Sequence, residues 1–560
     1  MYLRNELALK IFVEKRKSIK ILFKWLWRNS KGARRQAMLN TFAGTLDVVC
    51  QLLWVLACKR AIDIATGDAT GSIVTVGIII GSLMLIEIAS RAGGRWINAI
   101  LGVKAGNRMR LGIFSRLMRS EWQYMQKHHT GDLINRLERD VANITMLITE
   151  TVPAAIVVML QLIGSFVLLF TMNRMLAVAV LFILPVCLLV SRVYIKYMRD
   201  YNRQVRDSDS RIQSVLQESL QHKAIIKTLE QNEATEEQLT QLQDKLHSQV
   251  RSRAKFSIGA FCFVQLGYAI GYLTAFMWGI YGLSMGSITF GTLSAFLQLV
   301  GLIQRPTMDL SRYLPSMVSA LTAAERLYEI EEIPEEQQGN KIMLNGTAGI
   351  KFENVTFAYE EGDNVLQNFS YTFEPNSCTA IVGETGSGKT TLIRLLVALI
   401  HPQSGSITLY NEGESHHSSP LTRGNFVYIP QGNSLISGTI RDNLLMGNPE
   451  ATDEQMQQAL YTACAEYVNT LTQGIDTNLS EQGGGLSEGQ AQRIAIARSL
   501  LRPGSILILD EITSALDNDT EEELLHRLTT SNTGKTLIFV THRPAVLKYC
   551  TNILKIERGK

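Results

Sequence analysis

The stretch Gly383-Glu384-Thr385-Gly386-Ser387-Gly388-Lys389-Thr390 decides the fold of the C-terminal part of this chain. It has the form G-x-x-x-x-G-K-[ST], and its flanks suit that form. The apolar run Cys378 to Val382 before it predicts a buried strand. Thr390 to Ile400 after it predicts a helix with Leu392, Leu395, Leu396 and Leu399 on one face. A loop so placed aims successive backbone N–H groups and a helix N-terminus at one point, where orphan donors and the helix dipole favour phosphate oxygens. The pattern implies a nucleoside triphosphate site built from Gly383 to Thr391.

At 560 residues the chain is too long for one core, which implies at least two domains. The net charge of +4 gives no basic field of the kind nucleic acid requires. Hydrophobic residues make up 46% against 19% charged, and nearly all the long apolar runs lie before Ala324. The excess therefore belongs to a membrane region, followed by an ordinary α/β domain. The seven cysteines form no CxxC pair and sit mostly in apolar runs, so buried thiols rather than a disulfide framework are expected. The first 35 residues carry Lys10, Lys15, Arg16, Lys17, Lys20, Lys24, Arg28, Lys31, Arg34 and Arg35. With Ile21, Leu22, Phe23, Trp25, Leu26 and Trp27 as anchors, this segment reads as an amphipathic elbow on the inner membrane face.

Six spans are expected, at 36–63, 72–100, 145–171, 174–196, 256–284 and 289–315, each near the ~20 residues needed to cross. The connections 63–72, 172–173 and 285–288 are short and nearly free of Lys and Arg, whereas 104–139 and 192–255 are long and rich in Arg. The long loops and both termini are therefore placed in the cytoplasm. Residues 101–124 and 197–229 keep helical periodicity, so the spans should continue well past the membrane. Turn chemistry at His129-Thr130-Gly131-Asp132-Leu133 and Gln231-Asn232-Glu233 predicts the hairpin tips.

Beyond Gly349 further motifs follow. Ile506 to Leu509 is an apolar strand ending in Asp510 and Glu511. Asp510 can hold Mg²⁺, directly or through water, and Glu511 can polarise a water for in-line attack on a γ-phosphate. Ser514-Ala515-Leu516-Asp517 comes next. Leu486-Ser487-Glu488-Gly489-Gln490 lies upstream and opens the helical run Ala491 to Leu501. Gln431 ends the strand Phe426 to Pro430, and His542 follows the strand Thr536 to Val540.

This set resembles the nucleotide-binding domain of ATP-binding-cassette transporters, and with six preceding spans the whole chain resembles an exporter-type half-transporter. The resemblance implies a bundle of six long transmembrane helices (type I exporter, type IV fold) followed by an α/β P-loop NTPase domain. The boundaries it implies are an elbow at 1–35, a transmembrane domain at 36–328, a linker at 329–348 and the ATPase domain at 349–560. It further implies that Tyr359 stacks on adenine and Lys389 pairs with the β- and γ-phosphates. Thr390 and Gln431 would contact Mg²⁺, Glu511 would be the general base, His542 the γ-phosphate sensor, and Asp517 a contact across a dimer. Ser487, Glu488, Gly489 and Gln490 would cap the ATP held by a second copy.

Two departures stand out. The family's third signature position is usually glycine and here is Glu488, which adds repulsion if it points inward and little if it points to solvent. Similar domains usually continue for another strand and helix after the His542 strand, so a C-terminal bracing element is expected to be missing. One P-loop and one signature per chain imply a dimer, either a homodimer or a heterodimer. The expected function is ATP-driven export of a solute, drug-like molecule, peptide or lipid from a bacterial cytoplasmic membrane. The alternatives are a flippase or importer on the same fold, or a catalytically weak regulatory half. No peptidase-like extension is expected, which disfavours a processing peptide exporter.

Polar residues inside spans are candidate substrate contacts. Asn40, Asp47, Gln51 and Trp54 can share a stripe on the first span, and Glu87, Arg91 and Arg95 form a charged ridge on the second. The sharper reading is a basic inner-leaflet gate at Arg91 for an anionic or amphiphilic substrate. The plainer one has the arginines snorkelling to lipid headgroups with Glu87 neutralising one of them. Gln161, Gln265 and Gln298 are expected to make helix–helix hydrogen bonds.

Overall fold

The computed structural model describes residues 21–181, 183–359, 364–384, 386–480, 484–531 and 534–557. Thr385 of the P-loop and the basic residues Lys10, Lys15, Arg16, Lys17 and Lys20 lie outside the described residues. The chain divides into two compact units, one of Met1–Phe114 with Gly131–Ile330, the other of Ser115–Thr130 with Glu331–Lys560.

The first unit is helical. Four of its helices are long and apolar enough to cross a membrane among the described residues: Arg34–Ala65, Ile73–Arg119, Thr130–Met172 and Asn232–Ser284. The expected spans at 174–196 and 289–315 fall on the helices Arg174–Leu181 and Ile183–Gln221, and on Phe290–Glu332. Ile73–Arg119 has 47 residues and Asn232–Ser284 has 53. At ~1.5 Å per residue each is roughly twice as long as the ~30 Å hydrocarbon layer, so both extend far beyond it. Ile78, Leu85 and Ile88 face outward, as lipid contact demands. The inner face packs Val55, Leu169, Leu176, Phe296, Leu299 and Val300 into one cluster. Close approach of the first and last spans depends on Gly291, where a Cβ would collide with the Lys59 carbonyl. The second hairpin reverses at Glu230 (φ 56°), one residue before its predicted turn, and Asn232 and Glu233 already open the helix Asn232–Ser284. The first reverses earlier than predicted. Thr130, Gly131 and Asp132 already belong to the helix Thr130–Asn135, which an Asp132–Arg136 ion pair at 2.8 Å supports.

The second unit is α/β. Its strands are β1 Gly349–Phe357, β2 Leu366–Phe373, β3 Cys378–Val382, β4 Ser404–Tyr410, β5 Ser415–His417 and β6 Phe426–Ile429. They continue with β7 Gly438–Thr439, β8 Asn478–Leu479, β9 Ile506–Asp510, β10 Thr536–Val540 and β11 Asn552–Lys555. One sheet is antiparallel in the order β2-β1-β4-β5, and the central one runs β11-β3-β10-β9-β6 with every pair parallel. All five residues of β9 and of β10 are buried, because helices cover both faces of a parallel sheet and leave no polar side. That is why these strands read as unbroken apolar runs.

The helix after the P-loop spans Lys389–Leu396 and stops short of the expected Ile400, since Ala398 takes φ 51° and turns the chain away. The strand expected to be missing after His542 is present: β11 pairs with β3 through Asn552↔Thr379 to Lys555↔Val382. Next to that ladder the free thiols of Cys378 and Cys550 sit 3.4 Å apart.

Candidate active site

Parallel register brings the C-terminal ends of β3, β6, β9 and β10 to one edge of the sheet, and the loops that follow them carry the motif residues. The P-loop leaves β3 with Gly386 at φ 82° and Gly388 at φ 107°, conformations that cost any residue with a Cβ. A Cβ on Gly383 would come within 2.5 Å of the Ile556 carbonyl, so the loop is drawn tightly against the end of β11. Lys389 Nζ donates across the loop to the carbonyls of Gly383 (2.7 Å) and Glu384 (3.0 Å). Ser387 is buried and among the described residues its hydroxyl has no partner, an orphan that a phosphate oxygen would satisfy. This loop fits a triphosphate.

Beside it, Asp510 ends β9 and is 6% exposed. Burial and the adjacent Glu511 carboxylate push its pKa up to about 6, against a weak hydrogen bond from Tyr428 Oη at 3.4 Å. Glu511 adopts φ 48°, unusual for a side chain with a Cβ, and its N–H is tied to the Val540 carbonyl at 2.9 Å. The twist turns its carboxylate between two neighbours. Oε2 accepts from Gln431 Nε2 at 2.7 Å, and Oε1 lies 3.5 Å from His542 Nδ1. Asp510, Thr390 and Gln431 all offer hard oxygen donors, and Asp510 stands next to the Glu511 carboxylate at the end of β9. That donor set fits Mg²⁺.

Tyr359 is held by its hydroxyl, which accepts from Thr391 Oγ1 (3.3 Å) and Arg394 Nη1 (3.1 Å), while its ring packs edge-on to Phe357 at 4.9 Å. Arg394 also lies 4.8 Å over the ring of Trp122, on the short helix Trp122–Met125 that follows the helix Ile73–Arg119. Sequence reasoning overlooked Arg394 and Tyr428, since neither belongs to a motif. Only Tyr428's place in the strand before Gln431 hinted at a role.

Elsewhere the expected site residues have intramolecular work. Ser487 caps the helix Glu488–Leu500, its Oγ accepting from Gln490 N at 3.2 Å while Gln490 Oε1 accepts from Ser487 N at 2.9 Å. Gly489 packs on the Ala515 carbonyl, where a Cβ would come to 2.6 Å. Glu488 is exposed at this helix's N-terminus. Asp517 caps the helix Asn518–Ser531 by accepting from Thr520 N (3.2 Å) and Thr520 Oγ1 (2.9 Å), which lowers its pKa.

Among the candidate substrate residues, Asp47, Glu87 and Arg91 take part in a polar network. Arg91 is ion-paired with Glu87 on its own helix and with Asp47 of the first span at 3.1 Å, so its charge is already matched by two carboxylates. Gln51 donates to Asp47 at 3.0 Å and Gln161 to Gln51 at 3.3 Å, extending the network to a third helix. Arg95 is exposed and outside this network. Asn40 donates to the Thr149 carbonyl at 2.7 Å, a helix–helix contact. Gln298 instead donates to Ser294 of its own helix at 3.0 Å, contrary to expectation.

Two family models match the chain: an ABC transporter transmembrane region over residues 37–307, and an ABC transporter domain over 366–514. A putative export ATP-binding/permease protein of Rickettsia conorii is 30% identical over 85% of this chain and 84% of its own length. The chain belongs to the ABC exporter family. The exporter is also 29% identical to a fatty acid ABC transporter ATP-binding/permease protein of Mycobacterium tuberculosis, over 81% of this chain and 72% of that one. It shares its fold with a bacterial Atm1-family ABC exporter solved with ATP bound, at a TM-score of 0.77, 22% identity and 94% coverage of both chains. The exporter is therefore a membrane-spanning ATPase whose hydrolysis is coupled to transport.

Proposed function

We propose that this exporter works as half of a dimer, a homodimer or a heterodimer, that closes around two Mg²⁺-bound ATP molecules to drive export from a bacterial cytoplasmic membrane. The observation that carries the reading is the convergence of Gln431, Glu511 and His542 beside the P-loop. Held by Gln431, the Glu511 carboxylate orients an attacking water and takes its proton, while His542 donates toward the phosphate charge that develops. Lys389 and the loop N–H groups neutralise the phosphates, and Tyr359 offers its ring to the base. Thr390, Gln431 and Asp510 would hold Mg²⁺, which would supply charge neutralisation to the phosphates. Ser487 to Gln490 of one copy complete the pocket of the other. ATP favours the closed arrangement, and hydrolysis releases it.

The cargo class is proposed to be amphiphilic. Similar proteins are named for fatty acids and for multidrug resistance, and Arg91's neutralised charge offers no free anion receptor. The test is ATPase activity of the purified, reconstituted chain with its oligomeric state measured alongside. A dimer whose activity falls at least about 100-fold in Glu511→Gln, with ATP binding retained, supports the reading. Undiminished activity in Glu511→Gln, or an active monomer, would sink it. A panel of lipids, drugs and peptides in the same assay identifies the stimulating cargo.

A further inference from the structure

A second candidate binding site lies far along the sequence from the ATPase motifs, inside the first unit. A cavity of about 550 Å³ opens between the cytoplasmic end of the first span and the cytoplasmic extension of the second. Four cations line it, Lys31, Arg35, Lys104 and Arg108, and no carboxylate does. Among the described residues none of the four has an ion pair. Among the described residues this concentration of positive charge has no matching carboxylate.

The arrangement along the two helices says what matches it. Hydrogen bonds join Gln36 to Asn98 and Ser90 to Ala43, so the helices run antiparallel. On the first, Leu39 follows Arg35 by one turn toward the membrane, with Lys31 in the preceding turn of chain. On the second, Leu101 precedes Lys104 and Arg108 and so also stands on the membrane side. Both walls thus carry leucine toward the hydrocarbon and cations toward the cytoplasm. A phospholipid has the same order of acyl chain and phosphate.

Depth points to the same ligand. The helical segment just before the cavity buries Leu22, Trp25 and Leu26, while Ile21, Phe23 and Trp27 are exposed. An exposed tryptophan and phenylalanine on an amphipathic helix belong at the headgroup level, which sets the cavity at the inner-leaflet interface. The floor adds a chemical requirement. Gln36 is 1% exposed, and among the described residues its side-chain carbonyl oxygen has no donor. A headgroup hydroxyl can supply that donor, whereas the ionised phosphodiester of a lipid cannot.

We infer that this cavity binds an anionic inner-leaflet phospholipid with a hydroxyl-bearing headgroup. Its phosphate lies among Lys31, Arg35, Lys104 and Arg108, and its first methylenes lie on Leu39 and Leu101. Basic pockets between spans on the cytoplasmic side are suited to such headgroups, and each cation near an anionic lipid surface strengthens binding several-fold. The bound lipid also tethers the amphipathic segment to the second span, since Lys31 and Arg35 stand on one side of the cavity and Lys104 and Arg108 on the other.

The test titrates the full-length chain in detergent with phosphatidylglycerol or phosphatidylcholine and counts bound lipids by native mass spectrometry. Wild type should bind phosphatidylglycerol more tightly than phosphatidylcholine. The double variant Lys104→Ala/Arg108→Ala should bind phosphatidylglycerol roughly thirty-fold more weakly, with phosphatidylcholine binding unchanged. The control Lys245→Ala/Arg251→Ala removes the same charge from exposed positions on Asn232–Ser284 and should bind both lipids as wild type does. Undiminished phosphatidylglycerol binding in the double variant overturns the proposal, as does an equal loss in the control. Displacement of the lipid by inorganic phosphate at millimolar concentration overturns the lipid assignment in favour of a free-anion site. Should the double variant fail to fold, Lys31→Ala/Arg35→Ala removes the opposite wall and carries the same expectation.

Discussion

Replacing Asp510 by asparagine should make the nucleotide-free exporter more stable while removing its response to Mg²⁺. Asp510 is 6% exposed and its pKa is raised from an ordinary 3.8 to about 6, chiefly by burial and then by Glu511. The folded state therefore holds its proton more tightly than the unfolded chain does. Stability from this group is complete below pH 3.8 and is lost as pH rises through about 6. At neutral pH the ionised side chain is a net cost. An interval of about two pH units at about 1.4 kcal/mol each amounts to roughly 3 kcal/mol. Asparagine keeps the shape and an acceptor for Tyr428 but never ionises. For a domain of this size the gain should appear as roughly 6–12 °C in the melting temperature at about pH 7.5 with a chelator present. Because wild-type Asp510 is largely protonated in the folded state at about pH 5, the gain there should fall to about half. The assay is thermal unfolding of both proteins at the two pH values, with and without MgATP. Wild type should be stabilised by MgATP and the variant should lose the Mg²⁺-dependent part. A variant no more stable than wild type at neutral pH, or a gain unchanged in acid, would refute the assignment of burial and Glu511 as the cause.

Three further outcomes are expected. Arg394→Ala should raise the KM for ATP about five-fold with kcat less affected, because Tyr359 loses one of two hydrogen bonds worth ~1 kcal/mol each; ATPase kinetics read this directly. In a variant retaining Trp122 as its sole tryptophan, the same substitution should shift the emission, since the guanidinium lies over that ring. Arg91→Ala should lower the melting temperature by several degrees by leaving Asp47 and Glu87 uncompensated, and the triple change Asp47→Asn/Glu87→Gln/Arg91→Gln should restore most of it. A single variant as stable as wild type would show that the network is dispensable. Glu488→Gly should leave ATPase activity within about three-fold of wild type, as an exposed N-terminal acid contributes only ~0.5 kcal/mol to its helix; a tenfold rise would mean that the carboxylate obstructs the site.

The elements that position the ATP site were legible because each obeys a local rule. Ile506 to Asp510 and Thr536 to Val540 read as strands since a parallel sheet buries both faces, and Ser487 with Gln490 announces a helix start by its reciprocal cap. Local rules also misled. The helix from Lys389 was extended to Ile400 because leucines continue the apolar pattern, yet Ala398 turns left-handed where the chain must enter the antiparallel sheet. Likewise Thr130-Gly131-Asp132 looked like a turn, but the Asp132–Arg136 pair holds it as helix.

The sequence by itself determined the class of chemistry and the membrane setting. A P-loop, an apolar strand ending in two acids and long apolar runs act through near neighbours, and near neighbours are adjacent in the chain. Only the tertiary structure decided what charge each site presents, because electrostatics depends on groups that meet from distant positions. From the sequence Arg91 has at most Glu87 of its own helix as a partner, until Asp47 comes across from another helix. Glu511 reads as a water-polarising acid from its place at the end of a strand, but only β6 and β10 bring Gln431 and His542 to its two oxygens. Lys31 and Arg35 look like part of a basic tail until antiparallel packing sets them opposite Lys104 and Arg108, where four like charges share one cavity.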